Sequence, residues 1–323
     1  MKSRIQCKAI ILLAVLLIML TGCGDTKRLE SQKNYRQYGI NCMQDGNYEE
    51  AVEAFQNALD QSLGKVGNME LDICFYKAEA QLKAGAYADA MDTYNALIAY
   101  NESSDAYYLR GCLYFLQGDS EAGKSDFAMA VQKNAGNYDL YVGIYQTLSA
   151  YDLSQEGEYY LQEALKIKGE AAQDYLQKGR IYYLLGDMEN AKSSLEAALE
   201  KDAAQSAQAN YYLALIAEAA GDAGSAEAYF NTYLEAGEAD SVSLYTMGEQ
   251  RMKAGDYAHA ITYFQAGLGM EEVPNQQTLM RNLIICYEYS GDFQSAKSQM
   301  EAYMQLFPED EEAKQEQVFL STR

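Results

Sequence analysis

The sequence predicts an all-α protein built from repeated helical hairpins, and both composition and periodicity support this prediction. The 323 residues include only two prolines, so helix breakers are rare. Hydrophobic residues make up 49% of the chain, which is enough to bury a substantial core. A segment of similar pattern recurs along most of the chain, which is typical of proteins made of stacked structural units.

The N-terminal segment has the features of an export signal. Lys2, Arg4 and Lys8 accompany twelve consecutive apolar residues at positions 9–20. Twelve residues are too few for an ordinary transmembrane helix, which needs roughly 17–25, but they suit a secretory signal. The next residues, Leu20-Thr21-Gly22-Cys23, resemble the lipobox of bacterial lipoproteins.

The lipobox resemblance implies that residues 1–22 are removed and that Cys23 becomes the lipidated N-terminus. A signal without lipidation is the alternative, and Cys23 then has no special role. The lipid interpretation predicts a location at the cell membrane, on its extracytoplasmic face, with residues 23–31 as a tether. Cleavage removes three of the 25 basic residues and none of the 47 acidic ones, so the net charge becomes -25. Acyl chains rather than basic surface are therefore expected to hold the protein at the membrane.

The remaining chain repeats one pattern of spacings. A small residue is followed seven positions later by a turn glycine, five further by alanine, and four further by an aromatic or large apolar residue. Seven copies have these spacings, and they start at Gly39, Ala78, Gly111, Gly179, Ala214, Gly248 and Ile284. A fourth copy between 143 and 161 is degenerate, with Gly143 early and Asp152 at the turn position. We interpret it as a two-residue insertion in the internal turn.

Each position of the pattern has a physical role in a helical hairpin. Apolar residues three or four apart form the first helix of each copy. The turn glycine permits positive φ, and the Asp or Asn after it begins the second helix. Small residues on both helices allow close approach. One hairpin cannot bury its own apolar stripe, so the copies are expected to stack.

A period near 34 residues with this pattern resembles the tetratricopeptide repeat (TPR). Tyr35, Tyr107 and Tyr175 stand where the repeat has tryptophan, and only the last copy has the closing proline, Pro308. The resemblance implies a right-handed α-solenoid of about eight helix-turn-helix repeats over residues 32–310. Residues 311–323 are expected to form a capping helix with Val318 and Phe319 on its inner side.

The resemblance also implies a partner-binding groove, because the first helices of such repeats line the concave face. The candidate groove residues are Phe75, Tyr108, Phe115, Arg180, Tyr183, Tyr211 and Tyr245. Tyrosine suits protein recognition, since it offers a large contact area and a hydroxyl at low entropy cost. The alternative is that many of these tyrosines only pack against neighbouring helices. Some members of the family bind acidic C-terminal peptides through Lys, Asn and Arg side chains of adjacent repeats. That set is absent from this sequence, so binding of such peptides is not expected.

The function predicted from these features is a lipid-anchored extracytoplasmic scaffold that binds a protein or peptide at the bacterial cell envelope. The alternative is an accessory lipoprotein that assists pilus, secretion or outer-membrane assembly. A net charge of -22 argues against nucleic-acid binding, which needs basic surface. We expect no enzymatic activity, cofactor or metal, because His259 is the single histidine and no catalytic motif is present. The cysteines at 42, 74, 112 and 286 are expected to be buried thiols without disulfides.

Overall fold

The computed structural model describes residues 26–202 and 206–323, and this part of the chain contains 17 α-helices and no strand. The all-α prediction is confirmed. The first helix, α1, covers residues 26–44. The helices that follow it up to residue 167 are α2 (Tyr48–Asp60), α3 (Asn68–Lys83), α4 (Tyr87–Asn101), α5 (Ser104–Leu116), α6 (Ser120–Lys133), α7 (Tyr138–Ala150) and α8 (Ser154–Ala164).

The helices after residue 167 complete the series. They are α9 (Ala172–Leu184), α10 (Met188–Lys201), α11 (Ser206–Ala219), α12 (Ala223–Glu235), α13 (Ser241–Lys253), α14 (Tyr257–Leu268), α15 (Gln276–Tyr289), α16 (Phe293–Leu306) and α17 (Glu311–Ser321). The chain forms two compact units that divide between Ile167 and Lys168. Each unit is a solenoid-like stack of four helical hairpins, and the second unit also holds α17.

The turn inside five of the eight hairpins follows the chemistry predicted from the sequence. Gly118, for example, has φ +83, a conformation that glycine adopts without a side-chain clash. The next residue, Asp119, caps α6 because its carboxylate accepts a hydrogen bond from the Ala122 amide at 3.1 Å. The same glycine and aspartate pair ends one helix and caps the next at positions 186–187, 221–222, 255–256 and 291–292.

The small residue on the first helix of a hairpin makes room for an aromatic ring on the second. A Cβ on Gly39 would come within 2.6 Å of Phe55, and one on Gly248 within 2.5 Å of Phe264. Both phenylalanines are fully buried. The small positions are therefore required by close packing within the hairpin, as the sequence pattern indicates.

The fourth hairpin corrects the predicted insertion. Asp152 has φ +60 and occupies the turn position, and Gly157 lies five residues later, as in the other copies. The position seven residues before the turn is Tyr145, and a Cβ on Gly157 would lie 3.2 Å from the Tyr145 Cα. The two-residue insertion is therefore wrong. The repeat has the standard length, with a tyrosine at the small position and glycine opposite it.

Both ends of the described chain differ in part from the sequence interpretation. Residues 26–31, assigned to the tether, are helical and belong to α1. The capping helix α17 is present, but Val318 and Phe319 are exposed, and Ala313 and Leu320 face inward instead. Val318 lies eight residues after the N-cap Asp310, like the inward Gly248 after Asp240. Positions of this kind pack against the second helix of their own hairpin, and no second helix follows α17 in the described chain.

The predicted signal segment, residues 1–22, and Cys23 lie outside the described residues. Within residues 26–202 and 206–323, no helix is both long and apolar enough to cross a bilayer. Cys42 and Cys286 are buried free thiols, whereas Cys74 and Cys112 are half-buried.

Candidate functional site

A cleft of about 400 Å³ lies in the second unit and contains two of the predicted groove residues, Arg180 and Tyr211. Arg180 is on α9, and Tyr211 is on α11, the first helix of the next hairpin. The other lining residues come from α11, from the end of α12, from the connection after it and from the start of α13, and they are Gln208, Tyr212, Tyr233, Glu238, Asp240, Val242 and Ser243.

Four tyrosines contact one another in a continuous row, which we call the aromatic wall. Three of them, Tyr211, Tyr212 and Tyr233, line the cleft. The ring of Tyr183 lies 5.5 Å from that of Tyr212, and Tyr212 lies 5.2 Å from Tyr211. Tyr211 in turn lies 5.3 Å from Tyr233, whose hydroxyl donates a hydrogen bond to Ser243 at 2.8 Å. These tilted and edge-on geometries are favourable for aromatic pairs. The wall is therefore held in place by its own packing before any ligand binds.

The hydroxyls of Tyr183, Tyr211 and Tyr233 keep their protons over a wider pH range than an ordinary tyrosine. Burial raises the pKa of Tyr211, of Tyr183 and of Tyr233 above the ordinary value for tyrosine. The rim contributes charges of both signs, since Arg180 faces a cleft that Glu238 and Asp240 also line. The cleft thus offers donors, acceptors and apolar ring surface, which are the groups that a peptide backbone and its side chains need.

Tyr245 does not line this cleft. Its ring lies 6.1 Å from that of Phe264, and its hydroxyl donates to Glu249 at 3.4 Å. It is half-buried against the core of the α13–α14 hairpin. Packing, the alternative considered from the sequence, accounts for much of the surface of Tyr245.

Phe75 lines a separate and more apolar cavity of about 510 Å³ in the first unit. Its walls include Tyr76, Leu82, Tyr94 and Leu109, with Glu79 and Lys83 at the same site. Lys83 forms an ion pair with Glu79 at 2.9 Å, so these two charges largely neutralise each other. Phe75 is half-buried and available to this cavity.

Tyr108 is half-buried between two hairpins of the first unit. Its ring stacks on Phe127 at 5.8 Å, and a Cβ on Gly143 would lie 2.6 Å from the Tyr108 hydroxyl oxygen. Gly143 is therefore glycine because the Tyr108 side chain of the preceding hairpin lies against its Cα. Burial raises the pKa of Tyr108 to about 12.

The prediction that Phe115 lines the groove is wrong, because only 1% of its surface is exposed. Its ring stacks on Phe127 at 5.4 Å and would contact a Cβ on Gly123 at 2.6 Å. In this hairpin glycine replaces the usual alanine on the second helix, and the Phe115 ring fills the space that results. Gly123 was the sequence signal that could have indicated this inward position.

Sequence reasoning missed several cleft residues, notably Tyr212 and Tyr233. Tyr212 is adjacent to the predicted Tyr211. Tyr233 lies at the end of α12, the second helix of its hairpin, whereas the predicted groove residues were all taken from first helices. Among the described residues no group of three or more His, Cys, Asp or Glu side chains could hold a metal ion. His259 is exposed, and its Nδ1 lies 2.6 Å from the Asp256 carboxylate that caps the same helix.

Comparison with known families identifies the repeated hairpins. Models described as tetratricopeptide repeat match residues 43–111, 104–132 and 176–241. The chain contains tetratricopeptide repeats. The matched segments fall in both units. The TPR fold is that of a protein-interaction scaffold, and proteins with these repeats commonly bind protein partners.

Solved TPR structures resemble this chain in fold. A tetratricopeptide repeat protein from Parabacteroides merdae is 12% identical and has a TM-score of 0.52, with 80% of this chain and 99% of that chain covered. PilF from Pseudomonas aeruginosa is 18% identical with a TM-score of 0.42, covering 68% of this chain and 98% of its own.

PilW, a type IV pilus biogenesis factor, has the same identity of 18% and TM-score of 0.42, with 64% of this chain and 98% of that chain covered. At these identities the likeness concerns the fold alone, and the two pilus-related structures carry no functional argument. No curated protein matches the sequence.

Proposed function

We propose that this TPR protein is a lipid-anchored extracytoplasmic scaffold that binds a protein segment in the cleft of its second unit. The observation that carries the proposal is the wall of four tyrosines, Tyr183, Tyr212, Tyr211 and Tyr233, beside Arg180. Tyrosine and arginine are enriched among the residues that contribute most to protein–protein binding. Because the rings already pack on one another, binding a ligand orders few additional side chains.

The chemistry of the cleft favours a polypeptide over a small anionic ligand. Arg180 and the Tyr211 hydroxyl can donate hydrogen bonds, while Glu238 and Asp240 can accept them. A peptide in extended form presents both kinds of group along its backbone. A purely anionic ligand would be repelled, because the two carboxylates outnumber Arg180.

The anchor in this proposal is Cys23, on the basis of the signal-like segment and the lipobox resemblance. Cys23 lies three positions before Thr26, where the described part of α1 begins. Three residues span at most about 10 Å when extended, so lipid on Cys23 would hold the first hairpin close to the bilayer. The scaffold would then present its clefts to partners in the same compartment.

Site-specific photo-crosslinking in living cells tests the binding surface. A photoreactive phenylalanine at position 211 is expected to capture a specific protein, whereas the same residue at position 289 is expected to capture none. Tyr289 is a suitable control because it is 69% exposed and lies outside the cleft. Equal capture from both positions, or capture from 289 alone, would contradict a binding site in the cleft.

Membrane fractionation tests the anchor separately. Cys23→Ala is expected to move the protein from the membrane fraction to the soluble fraction. Cys42→Ala is the matched control, because Cys42 is a buried thiol of α1 and has no role in anchoring. Unchanged membrane association of the Cys23→Ala variant would refute the lipid anchor and leave the cleft proposal to its own test.

A further inference from the structure

One edge of the first unit carries a local excess of positive charge. Residues 26–36 of α1 and residues 61–67 after α2 together contain five of the 25 basic residues but only one of the 47 acidic ones. The five are Lys27, Arg28, Lys33, Arg36 and Lys65. Arg36 forms an ion pair with Asp72 of α3 at 2.6 Å, so the remaining four carry the excess. We refer to these two segments as the basic edge. Its excess of cations stands out in a chain of net charge -22.

Hydrogen bonds join the two segments of the basic edge in space. The Gln32 side chain of α1 donates to one oxygen of Glu70 at 2.7 Å. The other oxygen of Glu70 accepts the amide of Gly67, the last residue of the loop, at 2.8 Å. One carboxylate therefore binds both segments, and the lysines of both lie at the same end of the first hairpin.

Exposed apolar side chains accompany these cations. Leu63 is 67% exposed, Val66 is 46% exposed and Leu29 is 44% exposed. Tyr100, at the end of α4, is also exposed, and its hydroxyl donates to the Val66 carbonyl oxygen at 3.3 Å. Leucine, valine and tyrosine next to lysine are the residues that occupy the boundary between lipid headgroups and acyl chains.

Burial does not explain the backbone conformation of Leu63. Its φ is +51, in the left-handed region that favours glycine and disfavours leucine. The adjacent Gly64 also has positive φ, so the loop makes its turn with one residue suited to it and one that is not. Leu63 gains little from burial in return for this strain. An outlier of this kind points to a function for the side chain.

We propose that the basic edge lies against an anionic lipid surface, with Leu63 and Val66 inserted at the headgroup level. The proposal rests on the proposed lipid anchor, because Cys23 lies three residues before Thr26 and would bring this edge to the bilayer. Charge complementarity selects the surface, since lysines near an anionic leaflet are attracted while the acidic remainder is repelled. The edge thereby orients the first hairpin.

Hydrogen exchange of the full-length lipidated protein tests this contact. The protein is reconstituted in phosphatidylglycerol vesicles, in phosphatidylcholine vesicles and in detergent. We expect exchange in residues 61–67 to be slowed about tenfold in phosphatidylglycerol relative to detergent, and less in phosphatidylcholine. Equal exchange in all three would overturn the proposal.

Two variants separate a lipid contact from a structural role. Leu63→Gly combined with Lys65→Glu is expected to abolish the slowing in phosphatidylglycerol without lowering the melting temperature, because glycine relieves the strain at positive φ. Leu306→Ser combined with Lys314→Glu is the matched control, an exposed leucine and a lysine of the second unit, and it should keep the slowing. Slowing that persists in the Leu63→Gly and Lys65→Glu variant, or a melting temperature of that variant well below the wild type, would contradict the proposal.

The mass of the N-terminal peptide distinguishes failure of the anchor from failure of the edge. If the protein is lipidated but residues 61–67 exchange equally everywhere, the edge proposal is wrong and the anchor stands. If the N-terminus carries no lipid, the anchor is wrong, and the same vesicles are added to the unlipidated protein. Slowed exchange with phosphatidylglycerol would then still support the edge, and unchanged exchange would overturn it.

Discussion

The Tyr145 ring on α7 lies in the space that a Cβ on Gly157 of α8 would need. That Cβ would come within 3.0 Å of the Tyr145 Cδ2 and within 3.2 Å of the Tyr145 backbone. In most of the other hairpins the two positions are a small residue and an alanine, so this hairpin has compensated a large residue on one helix with glycine on the other. Close packing makes the two positions interdependent.

Gly157→Ala is therefore expected to destabilise the protein by about 1–3 kcal/mol through overpacking. In a Tyr145→Ala background the same change should be neutral or stabilising, because alanine is the better helix former by about 1 kcal/mol. Chemical denaturation of the four members of this double-mutant cycle measures the coupling. Additive effects of the two substitutions would show that the residues do not constrain each other.

Gly123→Ala is expected to destabilise the third hairpin. The new Cβ would lie 2.6 Å from the Phe115 ring, which is fully buried and cannot move outward without exposing its surface. We expect a loss of about 1–3 kcal/mol. Gly224→Ala on α12 is the matched control, because a Cβ there has a nearest neighbour 3.8 Å away. Comparable losses in the two variants would contradict the packing explanation.

A buried ion pair joins two hairpins of the second unit. Nη2 of Arg251 on α13 lies 3.0 Å from Oε1 of Glu218 on α11, and the side chains are 7% and 11% exposed. Arg251→Met is expected to cost about 3–5 kcal/mol, because Glu218 would remain buried without its partner. Replacing both residues with Met should restore most of this loss, as thermal and chemical denaturation would show. A double variant as unstable as the single one would contradict this account.

The raised pKa of Glu288 predicts that this side chain destabilises the folded protein less as the pH falls. Burial, followed by the nearby Glu316, raises the pKa of Glu288 above its usual value of 4.5, while Arg281 partly opposes this. An acid whose folded pKa is raised destabilises the fold when ionised, and this penalty disappears as pH falls through the folded pKa. Glu288→Gln should therefore raise the melting temperature at pH 7 but give no difference at pH about 4, below the unfolded pKa. Glu301→Gln, on an exposed side chain, controls for the lost charge.

The position of Tyr211 in the cleft predicts that its removal weakens binding of the partner. Tyr211→Ala is expected to weaken binding of the partner captured at position 211 by at least about fivefold, because a tyrosine at the centre of an interface can contribute more than about 1 kcal/mol. Tyr289→Ala should change affinity less than twofold, since that ring lies outside the cleft. Calorimetric titration measures both, and circular dichroism checks that Tyr211→Ala keeps its helices. Unchanged affinity of Tyr211→Ala would remove the aromatic wall from the binding surface.

The hairpins and their turns could be predicted from the sequence because they depend on local chemistry. Glycine at a turn and aspartate directly after it, as at Gly118 and Asp119, determine where one helix ends and the next begins. The spacing between such pairs gives the repeat length. The inward position of small residues such as Gly39 follows from the same pattern, since only a small side chain allows the second helix to approach.

The direction of individual side chains could not be predicted, because it depends on pairs of residues on different helices. Phe115 lies four residues after the small position of its hairpin. Leu82 lies at the same position of the preceding repeat and is half-exposed, whereas Phe115 turns inward because Gly123 leaves space for its ring. Tyr233 joins the cleft through its contact with Tyr211 on a different helix of its hairpin. A rule based on one helix at a time found Arg180 and Tyr211 and missed their neighbours.

The last helix, α17, offers a starting point for lengthening the array by design. It packs on α16 through Ala313 and Leu320 and presents Val318 where an interior repeat would receive its own second helix. It therefore serves as the first half of a repeat onto which a designed helix could be grafted after Arg323. Substituting glycine or alanine for Val318 would recreate the small position for such a graft, and the array could be lengthened one hairpin at a time.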